Sequence, residues 1–171
     1  KDLGERGKFR REFWTGLLEH SKTKTKLHSN ISPNQYSWVG TSAGKRGLGL
    51  NYSIRQHDAT IEIYIDLGKG YDDENNEIFH KLLKNKKEIE NTFGDNIDWQ
   101  LLENRRACRI LYIIPIGGWR DVDKWESIYS AMVDKMIAFD KAFRPFIKKL
   151  KYIVFYNSKS SISISSGNGT F

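Results

Sequence analysis

The sequence predicts an α+β fold, a two-layer sandwich in which three helices pack on a mainly antiparallel sheet. Three observations predict it. The clearest strands alternate strictly between apolar and polar residues, which leaves one face dry and one wet and favours antiparallel pairing. The helical segments repeat their apolar residues at spacings of three and four. The segments run helix, several strands, helix, two strands, helix, an order that covers one sheet face with helices.

Each element has its own reason. Residues 5–20 form a helix whose stripe is Phe9, Phe13, Leu17 and Leu18, with Trp14 beside it and Arg6, Lys8, Arg10 and Arg11 on the other sides. Residues 21–32 are polar and lysine-rich, and Pro33 follows, which marks a loop. Residues 36–40 make a short strand, and Gly44 and Gly47 bracket Lys45-Arg46 in a turn. In 48–56, Leu48, Leu50, Tyr52 and Ile54 face one way and Gly49, Asn51, Ser53 and Arg55 the other. In 60–67, Ile61, Ile63, Ile65 and Leu67 point inward, and Thr60, Glu62, Tyr64 and Asp66 outward. His57-Asp58 joins these two strands as a hairpin.

Gly68-Lys69-Gly70 ends the second strand, and Asp72 or Asp73 caps a helix that runs to about Phe93. Its stripe is Ile78, Phe79, Leu82, Leu83, Ile89 and Phe93, and Gly94 stops it. Residues 99–102 and 107–116 are two further strands joined through 103–106. Asp123 with Glu126 reads as a capping box that opens the last helix. Trp125, Ile128, Tyr129, Met132, Val133, Met136, Ile137, Phe143 and Ile147 line that helix, and Pro145 should kink or interrupt it. Residues 152–156 form a short strand, and 157–171 are Ser/Gly-rich and loosely held. The domain organisation is therefore one α+β domain over 1–150, with a strand and tail over 151–171.

Composition narrows the function classes. The chain has 171 residues, 39% of them hydrophobic, enough for one domain with a real core. Cys108 is the single cysteine, so no disulfide framework or cysteine zinc site forms within the chain, and a reducing cytoplasm is the expected compartment. No apolar run approaches the roughly 18 residues that span a bilayer, and the charged start is not a signal peptide, so no membrane partner is expected. The chain opens on Lys1, which reads as a piece of a longer protein or as a processed chain. The formal charge is +7, from 28 basic and 21 acidic side chains. Residues 1–30 hold eight basic and four acidic residues, and 58–78 hold one basic and seven acidic. Such a balance attracts nucleic acid or other anionic surfaces.

No catalytic constellation stands out. A metal-dependent nuclease needs a lysine two residues beyond an acid on a strand; Glu62 is followed there by Tyr64 and Asp66 by Gly68, so both acids read as solvated strand-face residues. His20, His28, His57 and His80 lack metal-ligand spacing, and His57-Asp58 sits where the hairpin must turn. Gly44-Lys45-Arg46-Gly47 lacks the phosphate-loop layout, and Gly68-Lys69-Gly70 is weaker still. No cofactor is implied. The remaining candidate is cationic. Arg105, Arg106 and Arg109 gather at a strand entrance, and with Lys45, Arg46 and Arg55 they can build one basic surface, to which Trp38 and Tyr64 would add stacking for bases.

A resemblance sharpens this. Arg11-Glu12-Phe13-Trp14, then Lys87-Glu88-Ile89-Glu90-x-x-Phe93-Gly94 with Trp99, then Trp125 and the helix to Phe146 resemble the prokaryotic domain-of-unknown-function family 4268, over about residues 9–150. The resemblance transfers no catalytic residue. It implies an accessory role in DNA handling or assembly, because members often follow a part similar to restriction-like nucleases. Within the signature, Ile89 and Phe93 belong to a buried face, Gly94 ends the helix and Trp99 packs, while Glu90 is either an exposed acid or paired with an arginine such as Arg11. The expectation is a non-catalytic accessory domain of a nuclease-like protein, contacting DNA or RNA through basic surface and partnered by an upstream nuclease domain of the same chain. The alternative is a protein–protein interaction or homodimerisation module built on the apolar last helix.

Overall fold

The computed structural model describes residues 2–102, 105–151, 153–155 and 162–164. Helix α1 (Asp2–Lys22) is followed by strands β1 (Trp38–Ser42), β2 (Leu48–Ile54) and β3 (Ala59–Ile65), helices α2 (Asp72–Leu83) and α3 (Lys86–Phe93), strands β4 (Asp98–Gln100) and β5 (Cys108–Ile114), helix α4 (Trp125–Lys149) and a small pair, β6 (Ile153–Phe155) and β7 (Ile162–Ile164). The five-stranded sheet has the order β1-β2-β3-β5-β4 and every pairing in it is antiparallel. The fold is α+β with four helices on the sheet. No helix among the described residues is long and apolar enough to cross a membrane.

The alternation of β2 and β3 sets the two faces. Leu50, Ile63 and Ile110 share one register row, and this face meets the helices in a single core. Helix α1 brings Phe13, Trp14 and Leu17, and α4 brings Ile128, Met132, Met136, Phe139 and Phe143. Rings dominate the contacts: Phe13 lies 4.9 Å from Tyr129 and 5.5 Å from Trp125, and Phe139 lies 4.7 Å from Phe143. The apolar face of α4 is thereby consumed by the core. Cys108 is buried at the edge of this core, where burial pushes its thiol up.

Several expected boundaries move, each for a local reason. The helix expected over 72–93 is two helices. At the break the Asn85 side chain donates to the Lys81 carbonyl and its N–H to Leu82, competing with the regular ladder. Asp72 and Asp73 do not cap α2; they sit in its first turn, where the helix dipole favours acids. The capping box at Asp123 does not form, because a 3-10 turn over Val122–Lys124 feeds α4 and places Lys124 at the cap position. Pro145 lies inside α4 without ending it, since Phe143 and Ile147 on either side are both held in the core. Strand β1 starts at Trp38, because the Asn34 carboxamide accepts the Tyr36 N–H and keeps that segment turned. Strand β7 falls within the stretch expected to be loose; most of that stretch lies outside the described residues.

Glu90 is neither a solvated acid nor a partner of Arg11. Its Oε1 accepts the Ile97 N–H at 3.0 Å and the Trp99 indole N–H at 3.3 Å, and Lys86 bonds Oε2 at 2.9 Å. Burial pushes Glu90 up, but these donors outweigh it and hold the carboxyl below its ordinary value. With Gly94 closing α3 at φ 91°, a left-handed position that suits glycine, Glu90 latches α3 to β4 and sets Trp99 against Phe143 at 5.6 Å.

Candidate nucleic-acid interface

The second face of the sheet carries the polar half of the alternation. Gly40, Asn51, Glu62, Leu111 and Asp98 form one row across it, and Ser42, Gly49, Tyr64, Arg109 and Gln100 the next. A depression of about 500 Å³ lies over these rows. Asn51, Glu62, Tyr64 and Arg109 line it from the strands, Trp38 stands at one rim, and Leu102, Arg105, Arg106 and Ala107 enclose it from the segment before β5. That volume lies inside the range of about 300–1,000 Å³ typical of small-molecule sites.

Each charged group on this face has a position that the fold explains. Glu62 is only 5% exposed, and Arg109, opposite Tyr64 on β5, donates Nε to Glu62 Oε2 at 2.7 Å. Arg106 Nη2 lies 2.7 Å from Asp66 Oδ2, and that pairing strengthens the hold of the guanidinium on its proton. The backbone of Arg106 is fixed by the fully buried Asn75 of α2, which donates to the Arg106 carbonyl at 2.9 Å and accepts the Leu67 N–H at 2.9 Å. Tyr64 stands between the two ion pairs. Burial and the Asp66 carboxylate push its phenol above its ordinary value against the pull of Arg106, so at neutral pH it is a protonated donor. Arg105 is exposed and makes no ion pair with a described carboxylate.

Of the six cations singled out by sequence, the structure gathers three. Arg105, Arg106 and Arg109 share the depression with Trp38 and Tyr64. Lys45 is buried and donates Nζ to the Leu150 carbonyl, where it closes the C-terminal end of α4. Arg46 is exposed in the β1–β2 turn, at the same sheet end as Asp66, whose N–H bonds the Gly47 carbonyl at 2.8 Å. Arg55 lies at the opposite end, in the hairpin, paired to Asp58 at 2.7 Å. His57 also sits in that turn, 3.3 Å from Asp121.

The acids expected to be solvated on this face are engaged: Glu62 with Arg109, Asp66 with Arg106. Asn51 was not singled out. It is 8% exposed, and its side chain lies flat over Gly40, where any Cβ would collide with it. A polar residue flanked across the ladder by glycine is the sequence signal for it, but reading that signal requires the β1–β2 register. Among the described residues, no three acids, histidines or cysteines group closely enough to hold a metal ion.

Fold and site together define an α+β domain with one helix-covered sheet face and a second face that carries arginines and aromatics. The chain belongs to the family described as Domain of unknown function (DUF4268), whose model matches residues 9–147. No curated protein and no solved structure matches the chain. The matched span runs from α1 into α4 and so contains the whole five-stranded sheet.

Proposed function

We propose that this domain is a non-catalytic accessory module of a nuclease-like cytoplasmic protein and contacts nucleic acid through its open sheet face. The observation that carries the reading is the depression in which Trp38, 51% exposed, and Tyr64 stand among Arg105, Arg106 and Arg109. Exposed aromatic rings beside guanidinium groups are what a single strand requires, with stacking for its bases and charge for its phosphates. The net charge of +7 adds a long-range attraction. The non-catalytic part of the reading rests on Glu62 and Asp66. Each already takes an arginine partner, which opposes a role as free metal ligand or base. The dimerisation alternative drew on the apolar face of α4, and that face packs in the core.

The test is a titration of the chain with single-stranded and duplex DNA and RNA at several salt concentrations. Binding should weaken with salt with a log–log slope of about −1.5 to −2.5, as two or three phosphate contacts require. No binding at low ionic strength refutes the proposal.

A further inference from the structure

We infer that the depression on the open face holds one unstacked base of a single strand and that its floor selects guanine. This rests on the nucleic-acid reading above and adds the ligand's identity.

The argument starts from two polar side chains, Asn51 and Glu62, that are mostly buried and yet line the depression. Asn51 is more than nine-tenths buried and lines the depression, yet its carboxamide bonds to no described residue. It is positioned by shape: Gly40 and Gly49 leave the space in which its Oδ1 lies. Glu62, buried to a similar degree, is its direct cross-strand neighbour. Arg109 approaches Glu62 through Nε and Nη2, and both contacts fall on Oε2. Neither contact uses Oε1. The floor therefore presents a carboxylate acceptor and an amide that gives one donor pair and one acceptor, all in a site of about 500 Å³. A base whose edge matches these groups gains affinity by bonding to them.

The bases differ in what they offer such a floor. Guanine has two adjacent donors on its pairing edge, N1–H and the 2-amino group, which suit a carboxylate. Its O6 and N7 acceptors suit arginine or the Asn51 amide. Thymine and uracil offer one N–H between two carbonyls, which a carboxylate repels. Adenine and cytosine offer one amino group beside a bare ring nitrogen. Trp38 at the rim supplies the stacking surface, and Arg105 is placed for the flanking phosphate.

The experiment uses the intact chain and tryptophan fluorescence, with a short oligothymidylate and the same strand carrying one central guanine as probes. The guanine strand should bind about tenfold tighter, the equivalent of one well-made base contact. Glu62→Gln keeps the shape and an acceptor for Arg109; it should abolish that preference. Trp38→Ala, at an exposed position, should weaken both probes about tenfold. Equal binding of the two strands by the unmodified chain, or a preference that survives Glu62→Gln, overturns the guanine assignment while leaving nucleic-acid contact standing. Failure to bind either strand overturns both.

Discussion

Removing Arg109 exposes how much the open face depends on its ion pairs. Glu62 has a side-chain exposure of 7% and Arg109 of 32%, with Nε 2.7 Å from Oε2. Arg109→Ala leaves a buried carboxylate without its cation. Breaking a buried pair in this way costs about 3–5 kcal/mol, and the wet flank of Arg109 puts the loss at the lower end, about 3 kcal/mol. With a urea dependence of about 2 kcal/mol per molar, the unfolding midpoint should fall by about 1.5 M. Combining Arg109→Ala with Glu62→Gln removes the stranded charge, so the double variant should recover about 2 kcal/mol relative to the sum of the single variants. A midpoint shift under about 0.3 M for Arg109→Ala, or additive single variants, refutes the view that Glu62 is held as one half of a structural pair.

Three further perturbations follow from the packing. Glu90→Ala strands the Ile97 and Trp99 N–H groups and should cost about 2–3 kcal/mol by urea unfolding. Because its folded pKa is depressed, Glu90 contributes stability that is present above its ordinary value of 4.5 and is lost as pH falls through the folded value, so Glu90→Gln should blunt the acid side of a stability–pH profile. Burial holds the His28 imidazole below its ordinary 6.5, so stability should be full above that pH and decline as pH falls toward the folded value; His28→Gln should flatten this limb, as read by thermal unfolding at stepped pH. Gly94→Ala forces a Cβ into the left-handed region at φ 91° and should cost about 1 kcal/mol, a fall of about 2–4 °C in Tm.

What the sequence made legible divides along one physical line. The hairpin of β2 and β3, the faces of Leu50 and Asn51, and the closing role of Gly94 all depend on local periodicity or on one residue's backbone freedom, and each can be read in a short window. The break at Asn85 and the continuous run of α4 through Pro145 turn on side-chain competition and tertiary packing, which a window does not contain. The site was half visible for the same reason. Arg105, Arg106 and Arg109 are near one another in sequence, so their clustering was apparent. The pairing of Glu62 with Arg109 spans α2, α3 and β4, and depends on β5 inserting between β3 and β4. Lys45 counts toward the basic surface in sequence, but its Nζ is taken by the Leu150 carbonyl at the end of α4, a contact no short window contains.

The central claim is that the open sheet face, and not the basic helix α1, meets nucleic acid. Backbone amide and tryptophan indole chemical-shift mapping of the isotope-labelled chain with a short guanine-containing single strand tests it most directly. Shifts concentrated at Trp38, Asn51, Glu62, Tyr64 and residues 105–109 are the predicted result. Shifts concentrated at Arg6, Lys8, Arg10 and Arg11, with the sheet face unchanged, would contradict it.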